Sequence, residues 1–516
     1  MMRRSRQIVS AQLAKTALPD EVRAFIGSLV GRTRLRGAEQ REIAAELASH
    51  FSEGLASGKS ATELLAAYGD ERESARELRA AAIAKRSALD RAAGALVKWS
   101  GIGAAAVIAA YLGSAGALYF REPVISFDAR AAVNARLPKA GPEGRALEIY
   151  AAALGEWGGK NLGNWAVPGI DAPTEALERI DADAAAVARV KEFVDEWRGV
   201  IDALREVRAR PVFGLAVVTT SVDDETAIGL FGKDALVLEA DAEREILAGA
   251  IVSVLLPQAS MLRSCARLLV LDAALAAYEG RGEVALASFE AAMTAGVHAG
   301  EPGFLICRLV ESGIKSLVIE SIGDAVARHP SAFNDAQLAQ LERLVRTQRI
   351  DLVVAFESEW SMMRDLVQRC YSDDGGGDGV LLPRAHGQMI HGLTSWSSTG
   401  GGSANRGRAT EAVEFMVGPV LATIAPSRRE VEDRARAYYT KAIAVTSAES
   451  EEERAALRSE FDGMSAQLGR DPRFIFEYLV PGLDRALDQP RKLEELAEKT
   501  ADAIAAERAT RGAIGG

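Results

Sequence analysis

At 516 residues the chain is longer than one hydrophobic core usually organises, so two or three separately folded parts are expected. Its 48% hydrophobic and 26% charged residues are those of a folded protein, and a hydrophobic share rich in alanine, with only 6% aromatics, favours packed helices over sheets. The net charge of -11 is uneven: residues 1–99 hold 17 Lys and Arg against 12 Asp and Glu, the remainder 44 against 60, and so acidic a remainder argues against direct nucleic acid binding.

A basic tail, residues 1–17, precedes the first elements and lacks the apolar h-region of a cleavable signal peptide. Further on, Ile43, Leu47, Phe51 and Leu55 recur every four residues and predict one helix with an apolar stripe, ended by Gly58. Ser60 with Glu63 forms a capping box for the next helix, whose apolar side is Leu64, Leu65 and Tyr68. Gly69 stops that helix. Asp70, with Glu73 three residues on, caps another that carries Ala75 and Leu78. His50, four residues after Glu46, is expected on a solvated helix face rather than at a metal.

Through Glu46-Leu47, His50, Gly58, Ser60, Glu63, Leu65, Gly69-Asp70, Ala75 and Leu78, residues 18 to 80 resemble the HAAS-type helical domain of bacterial membrane proteins. The family usually has proline after the Gly-Asp pair. This chain has Glu71 there, which also suits a first helical turn. The resemblance implies a cytosolic signalling or adaptor module over residues 18–98. It also implies a cytosolic protein partner, such as the PadR-like transcription regulators encoded beside family members.

The run SGIGAAAVIAAYLGSAGALYF, Ser100 to Phe120, has no charged residue. At about 1.5 Å per helical residue it can cross a hydrocarbon core of about 30 Å. Trp99, Tyr119 and Phe120 stand at its ends, where interfacial aromatics belong. Residues 99–120 are therefore expected to form a single transmembrane helix that also serves as the export signal; a buried Ala/Gly-rich helix is the other reading. Lys85, Arg86, Arg91 and Lys98 precede it and Arg121, Arg130 and Arg136 follow, a slight bias that, with the basic tail, places the N-terminus on the cytoplasmic side of an inner membrane. Gly101, Ala105, Ala109, Gly113 and Ala117, four apart, make a stripe of small residues, a candidate face for helix association in a homodimer.

Beyond it, periodicity predicts helices over Arg145–Trp157, Ala182–Arg210, Glu243–Leu256, Gln258–Glu279, Glu283–His298, Phe304–Arg328, Asp335–Cys370, Glu430–Ala444, Glu449–Leu468, Pro472–Leu487 and Leu493–Arg511. Val212–Thr220 and Ala235–Glu239 could pair as one hairpin. Ala273, Gly282, Ala285, Phe289 and Ala292 match small and aromatic positions of a tetratricopeptide-like helix pair, though an ordinary antiparallel pair is the preferred reading. Cys265, Cys307 and Cys370 form no disulfide framework, and the first two read as small core residues.

The expected fold is thus all-α: a small cytosolic module, one span, and an irregular helical extracytoplasmic domain over residues 121–511, before a tail at 512–516. A Gly-rich loop, 373–408, interrupts the domain with Asp373, Asp374, Asp378, His386 and His391, but Ala385 stands where a calcium loop needs its last glutamate. Glu357 and Glu359 sit in an apolar helical stretch where only one can be buried, with a raised pKa. No catalytic, cofactor or metal-binding residue is assigned. The leading reading is a membrane-anchored signalling or adaptor protein. Its alternatives are an extracytoplasmic hydrolase with carboxylates near Glu357, and a structural envelope scaffold.

Overall fold

A computed structural model describes residues 9–86, 88–155, 183–217, 222–233, 236, 250–253, 256–383, 418–420, 422–468, 470 and 483–514, with backbone alone at 88–102, 142, 484 and 512–514. Among these residues the secondary structure is helical, with no strand beyond two isolated bridges. The chain divides into two compact units, Met1–Leu112 and Gly113–Gly516.

In the first unit α1 (Asp20–Thr33), α2 (Gly37–Ala56), α3 (Ala61–Tyr68) and α4 (Glu71–Lys85) enclose a small core. The expected stops and caps are in place. Ser60 accepts from Glu63 N while the Glu63 carboxylate accepts from Ser60 N at 2.9 Å, and Asp70 accepts from Arg72 N and Glu73 N at 2.8 and 2.9 Å. Gly58 and Gly69 have φ of +88° and +80°, a backbone region in which a Cβ is strained. Leu47 and Phe51 of the predicted stripe are buried, and the Phe25, Phe51 and Tyr68 rings meet at 5.6 to 6.0 Å. Arg86 closes the module by donating to both Glu39 oxygens, at 2.8 and 3.1 Å, which holds that carboxyl below its usual range. His50 is exposed, and Glu46 pairs with Lys85 instead.

A continuous helix, α5 (Ala88–Tyr119), runs out of this unit and ends in the second. Next come α6 (Ala129–Asn134), α7 (Leu147–Leu154), α8 (Ala184–Glu196), α9 (Arg198–Arg205) and α10 (Glu225–Phe231). Three long helices form the centre: α11 (Pro257–Tyr278), α12 (Gly282–Gly300) and α13 (Leu305–Arg328). Their short connections make them antiparallel neighbours. α14 (Asp335–Arg346), α15 (Val353–Cys370), α16 (Arg428–Thr446), α17 (Glu451–Leu468), α18 (Leu483–Leu487) and α19 (Gln489–Ile514) pack around this centre.

α11 is buried almost all round, so a charge on it needs partners. Asp272, with no exposed surface, accepts from Arg198 at 2.9 Å, from Arg205 and from the Ser288 hydroxyl at 2.6 Å, tying α9 and α12 to α11. Ala273, Ala285, Phe289 and Ala292 are fully buried where α11 and α12 pack together, as an ordinary antiparallel pair and a repeat-like one both require. Cys265, Cys307 and Cys370 are buried free thiols.

Three expectations are corrected. The helix foreseen over Asp335–Cys370 is two, because α14 ends at Thr347 and Asp351 caps α15 by accepting from Val353 N at 2.8 Å, while the link buries Ile350 and Leu352. The helix foreseen over Ala182–Arg210 breaks at Trp197 and ends in a 3-10 turn, Glu206–Ala209. The first half of the proposed hairpin is a connecting segment in which Val212 bridges to Arg145; residues 218–221 and 237–249 lie outside the described residues.

Gly282, at the start of α12, leaves no room for a side chain. A Cβ there would meet the Ala332 carbonyl oxygen at 2.1 Å, so the 3-10 turn after α13 presses on bare α12 backbone. Gly313, inside α13, has open space at its Cβ. Gly282→Ala is expected to destabilise the chain by about 1–3 kcal/mol, as overpacking does. Gly313→Ala should stabilise it by about 0.5–1 kcal/mol through helix propensity. Thermal unfolding of both variants beside the parent checks the opposite signs.

Candidate functional site

The surface that needs explaining is α5 and the segment after it. From Gly103 to Ala110 eight consecutive residues are exposed and none is charged. At about 100° per residue they point in every direction around the helix. Val107 is 70% exposed and Phe120 77%, with Ile108 and Leu112 also open. A helix apolar all round is ordinarily covered, by a protein core or by lipid. Yet among the described residues no helix is long and apolar enough to cross a membrane, the described side chains of this one starting only at Gly103. The expected span is not met to that extent.

Of the small-residue stripe, Ala105, Ala109 and Ala117 are exposed, Gly113 has nothing within 4 Å of a Cβ, and the Gly101 side lies outside the described residues. Ala115 is buried, and Leu118 packs on the large core. Leu118 lies about 140° around the helix from Gly113, so its contact with the core leaves the stripe open.

Past Phe120 the chain is gripped by α15. The buried Gln368 accepts from Ser126 N and Phe127 N at 3.1 and 2.9 Å and donates to Phe127 O at 2.7 Å. Asp365 accepts from the same amide at 2.9 Å and from Ile251 N at 2.9 Å. The Arg364 guanidinium lies over the Phe127 ring at 4.1 Å, a cation–π contact. Farther up α15, Glu357 pairs with Arg136 at 3.2 Å, and Arg136 also reaches the Ser361 hydroxyl. The sequence does not foretell these residues as a group, because their partners lie more than two hundred residues away.

The two glutamates part company as helix geometry requires. Glu357 faces Arg136, whereas the Glu359 carboxylate turns inward, accepts from Leu305 N at 2.9 Å and caps α13. Cys307 of α13 and Tyr439 of α16 face it, among the described residues no salt bridge is made to it, and burial pushes its pKa up to about 7. The remaining acidic candidates are occupied by backbone. Asp374 accepts from Gly376 N at 2.7 Å, Asp373 from Gly375 N at 2.8 Å, and Asp378 from Gly379 N and Arg429 N. This loop anchors the start of α16, where Arg428 also pairs with Asp373 at 3.0 Å. His386 and His391 lie outside the described residues. Among those described, no cluster of three His, Cys, Asp or Glu could hold a metal.

His298, buried on α12, sits between the Tyr150 hydroxyl at 3.1 Å and the Arg210 carbonyl at 2.7 Å. Burial lowers its pKa to about 4, so near neutral pH the ring is neutral, donating to the carbonyl and accepting from the tyrosine. It holds α7 and the segment before Phe213 to α12. A cleft of about 460 Å³ opens beside Arg208, Glu290, Met293, Val297 and Leu344. Its polar groups are engaged with one another: Glu290 with Arg208 and Gln340, Thr294 with the Glu290 carbonyl, Gln348 with the Leu344 carbonyl. No carboxylate, histidine and nucleophile converge on it.

No protein-family model matches the chain, and neither a curated protein nor a solved structure resembles it significantly.

Glu359 yields a prediction with a definite sign. Its folded-state pKa lies above the ordinary 4.5, so the folded chain holds the proton more tightly than the unfolded one. The protonated carboxyl favours folding below that ordinary value, and the advantage is lost as pH rises through about 7. Glu359→Gln, which keeps an acceptor for Leu305 N, is expected to match the parent near pH 4 and to exceed its stability at pH 8 by about 2–3 kcal/mol. Thermal unfolding of the two proteins across that range checks it.

Proposed function

We propose that the chain is a membrane-anchored signalling or adaptor protein. In this reading α5 spans an inner membrane once, the N-terminal four-helix module is a HAAS-type domain that binds a cytosolic protein, and the large helical unit lies on the outer side. The observation that carries it is the eight-residue stretch of α5 exposed all round without a charge. An aqueous helix of that composition would leave aliphatic surface in water on every side, at about 25 cal/mol per Å².

Three further features support it. The uncharged run Ser100–Phe120 falls within one helix but for its last residue, so its backbone hydrogen bonds are made internally, as lipid demands. The mildly basic segment before the run and the acidic chain after it suit the two sides of a membrane. The capped module has the spacing of its family resemblance, and a PadR-like regulator is the partner that resemblance suggests. A single span most readily transmits by changing association, and the open stripe through Gly113 is the face on which two spans would meet. No observation among the described residues favours the hydrolase reading.

Alkaline extraction of membranes from cells expressing the full chain tests the anchor. The parent should stay in the pellet, whereas a Val107→Arg, Ile108→Arg chain, carrying about 2.5–3.5 kcal/mol of insertion cost per arginine, should move to the supernatant. A parent chain released by alkali would overturn the reading. Gly113→Leu should leave the chain in the pellet but weaken its self-association in a membrane two-hybrid reporter, and an unchanged signal counts against the stripe.

A further inference from the structure

We propose that Val124 and Ile125 form a lipid-contacting strap that seats the large unit on the outer surface of the bilayer; this rests on the anchor reading above. The two residues are adjacent in a non-helical segment, and each is about half exposed, at 47% and 48%. Neither serves the core of the unit. An exposed aliphatic pair on a slack loop would need no explanation. This pair is on a segment pinned from behind.

Gln368 makes three hydrogen bonds to the backbone of Ser126 and Phe127, and Arg364 covers the Phe127 ring. Gln368 is itself buried and oriented by Asp365. The backbone beside Val124 and Ile125 is therefore fixed by a built, fully satisfied polar clamp, which presents the two side chains outward from a rigid helix.

Reach decides what they meet. Four residues carry the chain at most about 14 Å from Phe120 to Val124. The interfacial layer on each side of the hydrocarbon is about 5–8 Å deep. With Phe120 at the hydrocarbon boundary, the strap cannot be far from the headgroups, and the Gln368 clamp brings the α15 end of the domain to the same level. Arg121 and Arg130 are exposed on either side of the pair, and Glu122 and Asp128 are exposed with them, so the segment has no net charge and its contact with the bilayer rests on the aliphatic pair. Asp128 is occupied in capping α6 through Ala131 N at 2.9 Å.

The test places a single fluorophore on the strap. Cys265, Cys307 and Cys370 are buried and burial pushes their thiols up to about 12, so Ile125→Cys in the full chain is the site that a maleimide dye labels. The labelled protein is reconstituted in bilayers of phosphatidylethanolamine and phosphatidylglycerol, with and without lipids bearing a headgroup nitroxide. The proposal expects blue-shifted emission that the nitroxide lipids largely quench. A chain that resists alkaline extraction while its dye stays water-exposed and unquenched overturns the strap and leaves the anchor standing. A chain that alkali removes from the bilayer overturns both.

Discussion

The α5 helix carries a run of side chains that water does not suit. Its exposed stretch, Gly103 to Ala110, has neither the charge to be a solvated linker nor a core of its own to enter. The small module has a closed core of its own and the large unit a separate one. Near its end, Leu118 packs against the larger core. The helix is therefore a shared element that belongs fully to neither unit, as a span between two compartments would be.

Beyond the helix, the interactions that matter are buried polar groups held by named partners. Asp272 gathers two arginines and a serine, Glu311 takes Arg308 and Lys315, and Gln368 holds the chain that leaves α5. Asp272 joins α9 and α12 to α11, Gln368 joins α15 to residues 126–127, and Lys315, paired with Glu311 on its own helix, donates to the Arg349 carbonyl at 2.8 Å. Such groups cost stability when one partner is removed, and for that reason they specify one arrangement of helices among many that an alanine-rich core would accept. Glu359 differs: its carboxylate caps α13 by accepting from Leu305 N, and among the described residues it makes no salt bridge.

What could be read in the sequence was local. The Ser60 and Asp70 caps, the Gly58 and Gly69 stops and the Leu47–Phe51 stripe each need only a few neighbouring residues, and each is where spacing placed it. α1 went unnamed although Val22, Ile26, Leu29 and Val30 follow helical spacing behind Asp20 and Glu21, a signal that was available. The break at Thr347 was hidden because no Gly or Pro marks it; Asp351 supplies the new cap and apolar residues continue through the link. Gln368 was beyond reach for a different reason. Its partners, Ser126 and Phe127, are more than two hundred residues away, and no local pattern announces a contact of that range. The pairing of Glu357 with an arginine and the burial of Glu359 were legible as alternatives, since helix geometry forbids both from facing one way.

The central claim is that α5 separates two units on opposite faces of a membrane, and protease protection in intact spheroplasts tests it most directly. With epitopes at both termini, external protease should destroy the C-terminal epitope and leave an N-terminal fragment that holds the module and α5. Survival of both epitopes until the membrane is lysed, or loss of both before it, would contradict the account.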